Sequence, residues 1–232
     1  MKFSVSKEVF EKMDNVCFGV IVARGVNNKE NKKIAKILED NIASAEVKFK
    51  DKKAKEIDEI IDYRNSLLKL GINPNKFMCS IEAIMTRILK KKGFPSINPI
   101  VDLGNAVSIK NVVTLGAHDI GSLKDDICIR FSKKGDKFIA FGSKEEEELE
   151  DGELIYCVGN EVRTRRWIWR QSEKGKITEE TTDVFFPIDG FKDKNYNSVI
   201  NAMNELVKLL EENFDCQIKF GVVDVNNPEF EF

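Results

Sequence analysis

Apolar positions along the chain follow two rhythms, one helical and one of short strands, and the change between them falls near Pro99. Phe3 to Val5 reads as a short strand, Ser6 stands where a helix would be capped, and Val16 to Val22 is an apolar run ending at Gly25, the pattern of a buried strand. From Lys29 to Leu70 the residues Ile34, Ile37, Leu38, Ile57, Ile60, Ile61 and Leu67 recur at helical spacing in a Lys- and Glu-rich background, and Gly71 and Pro74 close the stretch. Two amphipathic helices are predicted there. A third, from about Ser80 to Lys92, carries Ile81, Ile84, Met85, Ile88 and Leu89 on one face and stops at Gly93 and Pro95.

Beyond Pro99 the segments are shorter and more β-branched. Ile127 to Phe131 and Lys137 to Phe141 flank the turn Lys133-Lys134-Gly135-Asp136 and predict a hairpin. Leu154 to Val158, Val162 to Trp169 and Thr182 to Phe186 predict strands, and the acidic run Glu145 to Asp151 a solvated loop. A helix from about Asn197 to Asn213 precedes a last strand, Gln217 to Val225. The order predicts an α/β (α+β) fold with mixed or antiparallel sheets flanked by helices. Residues 1–95 are expected to form a helical and α/β N-terminal portion packed on a core region spanning 96–232, in one compact domain.

Charge narrows the partners. With 37 basic against 39 acidic residues, nothing global draws the chain to nucleic acid or membrane, so an anionic partner must meet a local patch. No apolar run approaches the ~20 residues that span a bilayer, and the N-terminus has no signal-peptide core. Cys17, Cys79, Cys128, Cys157 and Cys216 lack metal or redox spacing and read as buried thiols of a cytoplasmic protein. No metal or other cofactor is implied.

Two runs carry candidate chemistry. Between Ile97 and Gly121 lies the sole histidine, His118, with Asp102, Asn105 and Asp119 among small and apolar neighbours. Asp102 and Asp119 suit helix caps or turns, and Asn105 and His118 suit either turns or a polar site. The second run, Arg163 to Gln171, is the densest cationic and aromatic cluster in the chain. On a strand, alternation puts Arg163, Arg165, Trp167 and Trp169 on one face and Thr164, Arg166, Ile168 and Arg170 on the other. Such a ribbon is either core with arginines at its edge or a surface where rings stack unpaired bases and arginines hold phosphates.

The region from Pro99 to Phe191 resembles the editing domain of the phenylalanyl-tRNA synthetase beta subunit, and more closely its free-standing form. The segments that carry the likeness are Ile100-Val101-Asp102-Leu103-Gly104-Asn105-Ala106-Val107, Gly116-Ala117-His118-Asp119, Gly152-Glu153-Leu154-Ile155-Tyr156, Thr164 to Gln171, and Thr181-Thr182-Asp183-Val184-Phe185-Phe186. The resemblance implies the fold of that domain and hydrolysis of a mischarged aminoacyl-tRNA, without amino-acid activation. Its partner would be the aminoacylated acceptor end of tRNA. By matching position, Asn105 and His118 would line the pocket at the ester, with Tyr156 on its wall. Glu173 or Gln171 would lie near the amino-acid side chain, and Arg163, Arg165, Arg166, Trp167, Trp169 and Arg170 near the nucleotide. Where the family has Gly-Gly before a glutamate, this chain has Arg170-Gln171 and then Ser172-Glu173. Two bulky side chains replace a close backbone approach there, so the amino acid rejected need not be the tyrosine that the resembled domain removes from the tRNA for phenylalanine.

An aminoacyl ester is already activated, so a held water and a donor at the developing oxyanion suffice, one donor being worth ~3 to 4 kcal/mol. Asn105 and His118, neutral or protonated, are the candidate donors and catalytic residues, and His118 could alternatively orient the water as a base. The rival readings are a non-catalytic tRNA- or RNA-binding module and a pocket protein for free amino acids or nucleosides.

Overall fold

The computed structural model describes residues 1–29, 31–121 and 123–232. In chain order the elements are β1 (Lys2–Val5), α1 (Lys7–Lys12), β2 (Val16–Arg24), α2 (Lys32–Lys48), a 3₁₀ turn (Ala54–Glu56), α3 (Asp58–Lys69), α4 (Ser80–Leu89), α5 (Pro99–Asn111), β3 (Thr114–Leu115) and β4 (His118–Asp119). They continue with β5 (Ile127–Phe131), β6 (Lys137–Ile139), β7 (Glu146–Glu148), β8 (Leu154–Val158), β9 (Glu161–Arg165), β10 (Arg170–Gln171), β11 (Asp183–Phe191), α6 (Tyr196–Asn213), β12 (Gln217–Val223) and β13 (Glu229–Glu231).

Two mixed or antiparallel sheets organise the molecule. One runs β13-β1-β5-β8-β9-β6-β7, with β10 added to β9; the other runs β12-β2-β11, with β3 and β4 both on the far edge of β11. The unbroken apolar run of β2 follows from burial on both faces. Phe18, Val20 and Val22 join a core with Phe3 of β1, Tyr156 of β8 and Phe185 of β11, whereas Ile21 and Ala23 join a second core under α5 and α6. Strand β11 obeys the same alternation: Val184, Phe186 and Ile188 pack toward the helices, and Phe185 and Phe191 toward the other sheet.

Five expectations need correction. Pro99 opens helix α5 rather than β texture: Asn98 caps it, accepting from Val101 N at 3.0 Å, and Pro99 fills the first turn, where its missing N–H costs nothing. The helix is buried on most sides, so its sequence shows no polar stripe. The turn at Lys133–Asp136 forms, but β5 and β6 do not pair; β5 lies between β1 and β8, and β6 between β7 and β9. The buried Asp136 carboxylate is fixed by Arg130 at 2.6 and 2.7 Å and by Lys133 N at 2.8 Å, which turns the chain away to the far side of the β8–β9 pair. Within the acidic run, Glu146–Glu148 forms the edge strand β7 with exposed side chains. The strand expected from Val162 to Trp169 ends at Arg165, because Arg166 and Trp167 take left-handed backbone angles, φ 49° and 61°, before β10 returns along β9. Ser6 holds the cap position of α1, but its hydroxyl makes no cap bond.

Among the described residues no helix is long and apolar enough to cross a membrane. No cluster of His, Cys, Asp or Glu that could hold a metal ion occurs among them either.

Candidate functional site

A cleft with about 90 Å³ of free volume opens where the edge of β11 meets the β8–β9–β10 strands. Register places its groups. Thr114 of β3 stands opposite Asp189 and His118 of β4 opposite Phe185, while Tyr156 comes from β8, Gln171 from β10, and Trp167 and Trp169 from the left-handed turn. The cleft therefore brings together five residues expected from sequence: His118, Tyr156, Gln171, Trp167 and Trp169.

Its floor is built on a residue that sequence reading missed. Asp189, 3% exposed, accepts at one oxygen from Tyr156 Oη at 2.7 Å and from Trp167 Nε1 at 2.7 Å, and its other oxygen lies 3.4 Å from Thr114 Oγ1. Its carbonyl accepts from Tyr63 Oη at 2.6 Å, and Asn195 Nδ2 donates to that phenol at 2.9 Å. Burial pushes the Asp189 carboxyl up to about 7, opposed by the Tyr156, Trp167 and Thr114 bonds. The one signal available was an acid within the apolar segment Phe-Phe-Pro-Ile-Asp-Gly-Phe, since a carboxylate in a buried strand needs partners.

His118 is 4% exposed and lies against the Tyr156 ring, centroids 5.9 Å apart at 25°. Burial, with the Arg163 charge adding to it, lowers its pKa to about 3, so the imidazole is neutral at physiological pH. Its Nδ1 is buried without a partner. A bare lone pair is cheaper to bury there than an N–H, which places the proton on Nε2, beside Gly116 in the cleft wall.

The arginine and tryptophan run divides. Trp167 is fully buried, ring in the core and indole N–H on Asp189. Arg163 is also buried: its guanidinium meets Glu161 at 3.2 Å and packs against Gly175, where an added Cβ would collide with Arg163 Nη1. Arg165 bonds Glu153 at 2.8 Å and Glu147 at 2.7 Å. The outer members gather at the cleft rim: Arg166 lies 3.8 Å from the ring centre of Phe77 and 4.8 Å from that of Trp169, the two rings meet edge-on at 4.8 Å, and exposed Arg170 lies 5.9 Å from Trp169. Phe77, in the loop before α4, had no periodic signal.

Two expected residues stand apart. Asn105 is half-buried on α5 and is not part of the cleft lining. Glu173 also lies outside the lining, accepting from Gly142 N at 2.9 Å and from Lys176 Nζ, and the lysine bond holds its carboxyl below the usual range. Asp119 ties Gly121 N at 2.8 Å and Thr181 Oγ1 at 2.6 Å, and Asp102 accepts from Ile97 N at 2.8 Å, so both shape turns. Gln171 donates to Ala117 O at 2.8 Å and bridges the two walls.

The elements that carry this cleft coincide with a known domain, because the B3/4 domain profile matches residues 62–215. The chain belongs to the B3/4 domain family. That span contains every cleft residue named above. Among curated proteins, the chain is 30% identical over 115 residues to the phenylalanine--tRNA ligase beta subunit of Colwellia psychrerythraea strain 34H, covering 50% of this chain and 14% of that protein. It is 27% identical over 128 residues to the corresponding subunit of Aquifex aeolicus strain VF5, covering 54% and 16%. The chain spans about one seventh of the length of these relatives. Among solved structures, an N-terminal fragment of the phenylalanyl-tRNA synthetase beta subunit from Pyrococcus horikoshii aligns with 93% of this chain and 49% of the fragment, at 14% identity and a TM-score of 0.48.

Proposed function

We propose that the cleft receives the aminoacylated 3′ end of a tRNA and hydrolyses the ester of a mischarged one, in the free-standing form that the sequence resembles. The observation that carries this reading is the neutral His118 imidazole in the same cleft as Tyr156, Gln171 and the tryptophan turn. A base of pKa about 3 takes up a proton poorly at neutral pH, so of the two roles open to His118 the geometry favours donation. Nε2–H then stabilises the oxyanion as water adds to the ester carbonyl. Collapse expels the ribose oxygen, which leaves with the proton of the attacking water. Tyr156 and Trp167, fixed by Asp189, form the wall against which the amino acid rests, and Trp169 with Arg166 and Arg170 faces the terminal nucleotide. No role at the ester is proposed for Asn105 or Glu173.

One observation favours the binding-only alternative: about 90 Å³ is small for an aminoacyl group. Deacylation of a panel of mischarged tRNAs separates the readings. Hydrolysis of at least one, with kcat lowered about 10²- to 10³-fold in His118→Ala and KM little changed, supports the donor role. RNA binding without cleavage of any substrate selects the binding module, and equal rates in His118→Ala remove His118 from the chemistry.

A further inference from the structure

A second depression lies one loop away from the cleft. Lys52, Lys53 and Lys55 on one side and Lys90 at the end of α4 on the other wall a groove of about 340 Å³ whose base holds Arg64 and Glu82. The Glu82 carboxylate is neutralised by Arg64 at 2.6 Å, so the lysines set the groove's sign. Across residues 48–58 and 87–92 the sequence has nine Lys or Arg against three Asp or Glu, in a chain whose net charge is −2. This positive field is therefore local, and acid elsewhere balances it. Lys55 and Lys90 are exposed and, among the described residues, form no ion pair; the partners of Lys52 and Lys53 are 3.9 Å away and mostly in water. Such pairs contribute little and give way readily to a phosphate.

Continuity with the cleft gives the groove its meaning. Met78 lines the groove and Ser80 lines the cleft, and two residues span at most ~7 Å. Phe77 of the same loop meets Trp169 on the rim, with Lys76 at 5.2 Å from its ring, and Arg166 and Arg170 continue the cationic track. Lys52, Lys53 and Lys55 precede the B3/4 match, which begins at residue 62. This half of the groove belongs to the chain's own N-terminal portion.

We propose that the groove holds the phosphodiester backbone of the RNA whose 3′ end enters the cleft, so that the N-terminal helices act as the docking surface for the acceptor stem. The proposal rests on the RNA reading of the cleft and adds a separate contact to it. The test is fluorescence anisotropy of a labelled acceptor-stem minihelix with a single-stranded 3′ end, across ~50 to 200 mM KCl. It compares the full chain with a Lys52→Gln, Lys55→Gln, Lys90→Gln triple variant, all three side chains being exposed. Removing three phosphate contacts should flatten the plot of log affinity against log salt by about 2 to 3 and weaken binding about tenfold or more at the lowest salt. The kcat for deacylation should stay unchanged while KM rises. A blunt duplex without the single-stranded end should lose affinity with the same variant, since the groove reads backbone. An unchanged slope overturns the proposal while leaving the cleft reading intact. Wild type that binds anionic lipid vesicles but no RNA overturns both, and cleavage of mischarged tRNA with a variant-insensitive KM overturns the groove alone.

Discussion

Trp167 and Trp169 sit two residues apart in one sequence run and belong to different parts of the molecule. The first is sealed in the floor of the cleft with its N–H on Asp189; the second is half-buried on the rim between Phe77, Arg166 and Arg170. A left-handed turn at Arg166 and Trp167 makes the difference. The pair teaches that a dense cationic and aromatic cluster can be scaffold on one side and contact surface on the other.

The largest effect that would test this division is on stability. Asp189→Ala strands the Tyr156 hydroxyl and the Trp167 N–H in the core, at ~1 to 3 kcal/mol each, so urea unfolding should show a loss of about 4 kcal/mol. A loss below about 0.5 kcal/mol, the range of ordinary surface changes, would mean the floor is not held as described. The rim should respond in binding instead. Trp169→Ala should change stability by only about 1 kcal/mol but weaken minihelix RNA about tenfold, the value of one stacked base; unaltered affinity would remove the rim from RNA contact.

A smaller effect lies in pH. His118, lowered to about 3, contributes stability that is complete above pH ~6.5 and lost as pH falls toward its folded value. Asp189, raised to about 7, has the opposite sign: its contribution is complete below pH ~4 and lost as pH rises toward 7. Between those limits the two slopes offset each other. Relative to wild type, His118→Gln should lose stability as pH rises and Asp189→Asn should gain it, each by up to about 1.4 kcal/mol per pH unit. Parallel stability curves for the three proteins would contradict the assigned burial.

Much of this architecture was legible in the sequence. The apolar run of β2, the periodicities of α2, α3, α4 and α6, and the short strands β5 and β8 all follow local rules, because a consistently buried face or run leaves a regular trace. Helix α5 escaped because a helix enclosed on most sides has no polar stripe to announce it, and the false β5–β6 hairpin arose because Asp136 answers to Arg130, a tertiary partner invisible at short range. The site was half legible. His118, Tyr156 and Gln171 do converge, but alternation could not foresee a turn that buries Trp167. Asp189 and Phe77 matter through neighbours far away in the chain, which no spacing encodes.

Because the chain has a single histidine, the ester site can be probed through one residue. In ¹⁵N NMR its imidazole gives one pair of ring signals, followed as a non-hydrolysable aminoacyl-adenosine 3′-amide is added at neutral pH. The ring is expected to be neutral and protonated at Nε2, with that nitrogen shifting on addition of the analogue. A ring that is charged at neutral pH, or one whose signals stay still at saturating analogue, would contradict the assignment of this cleft as the site where the ester is held.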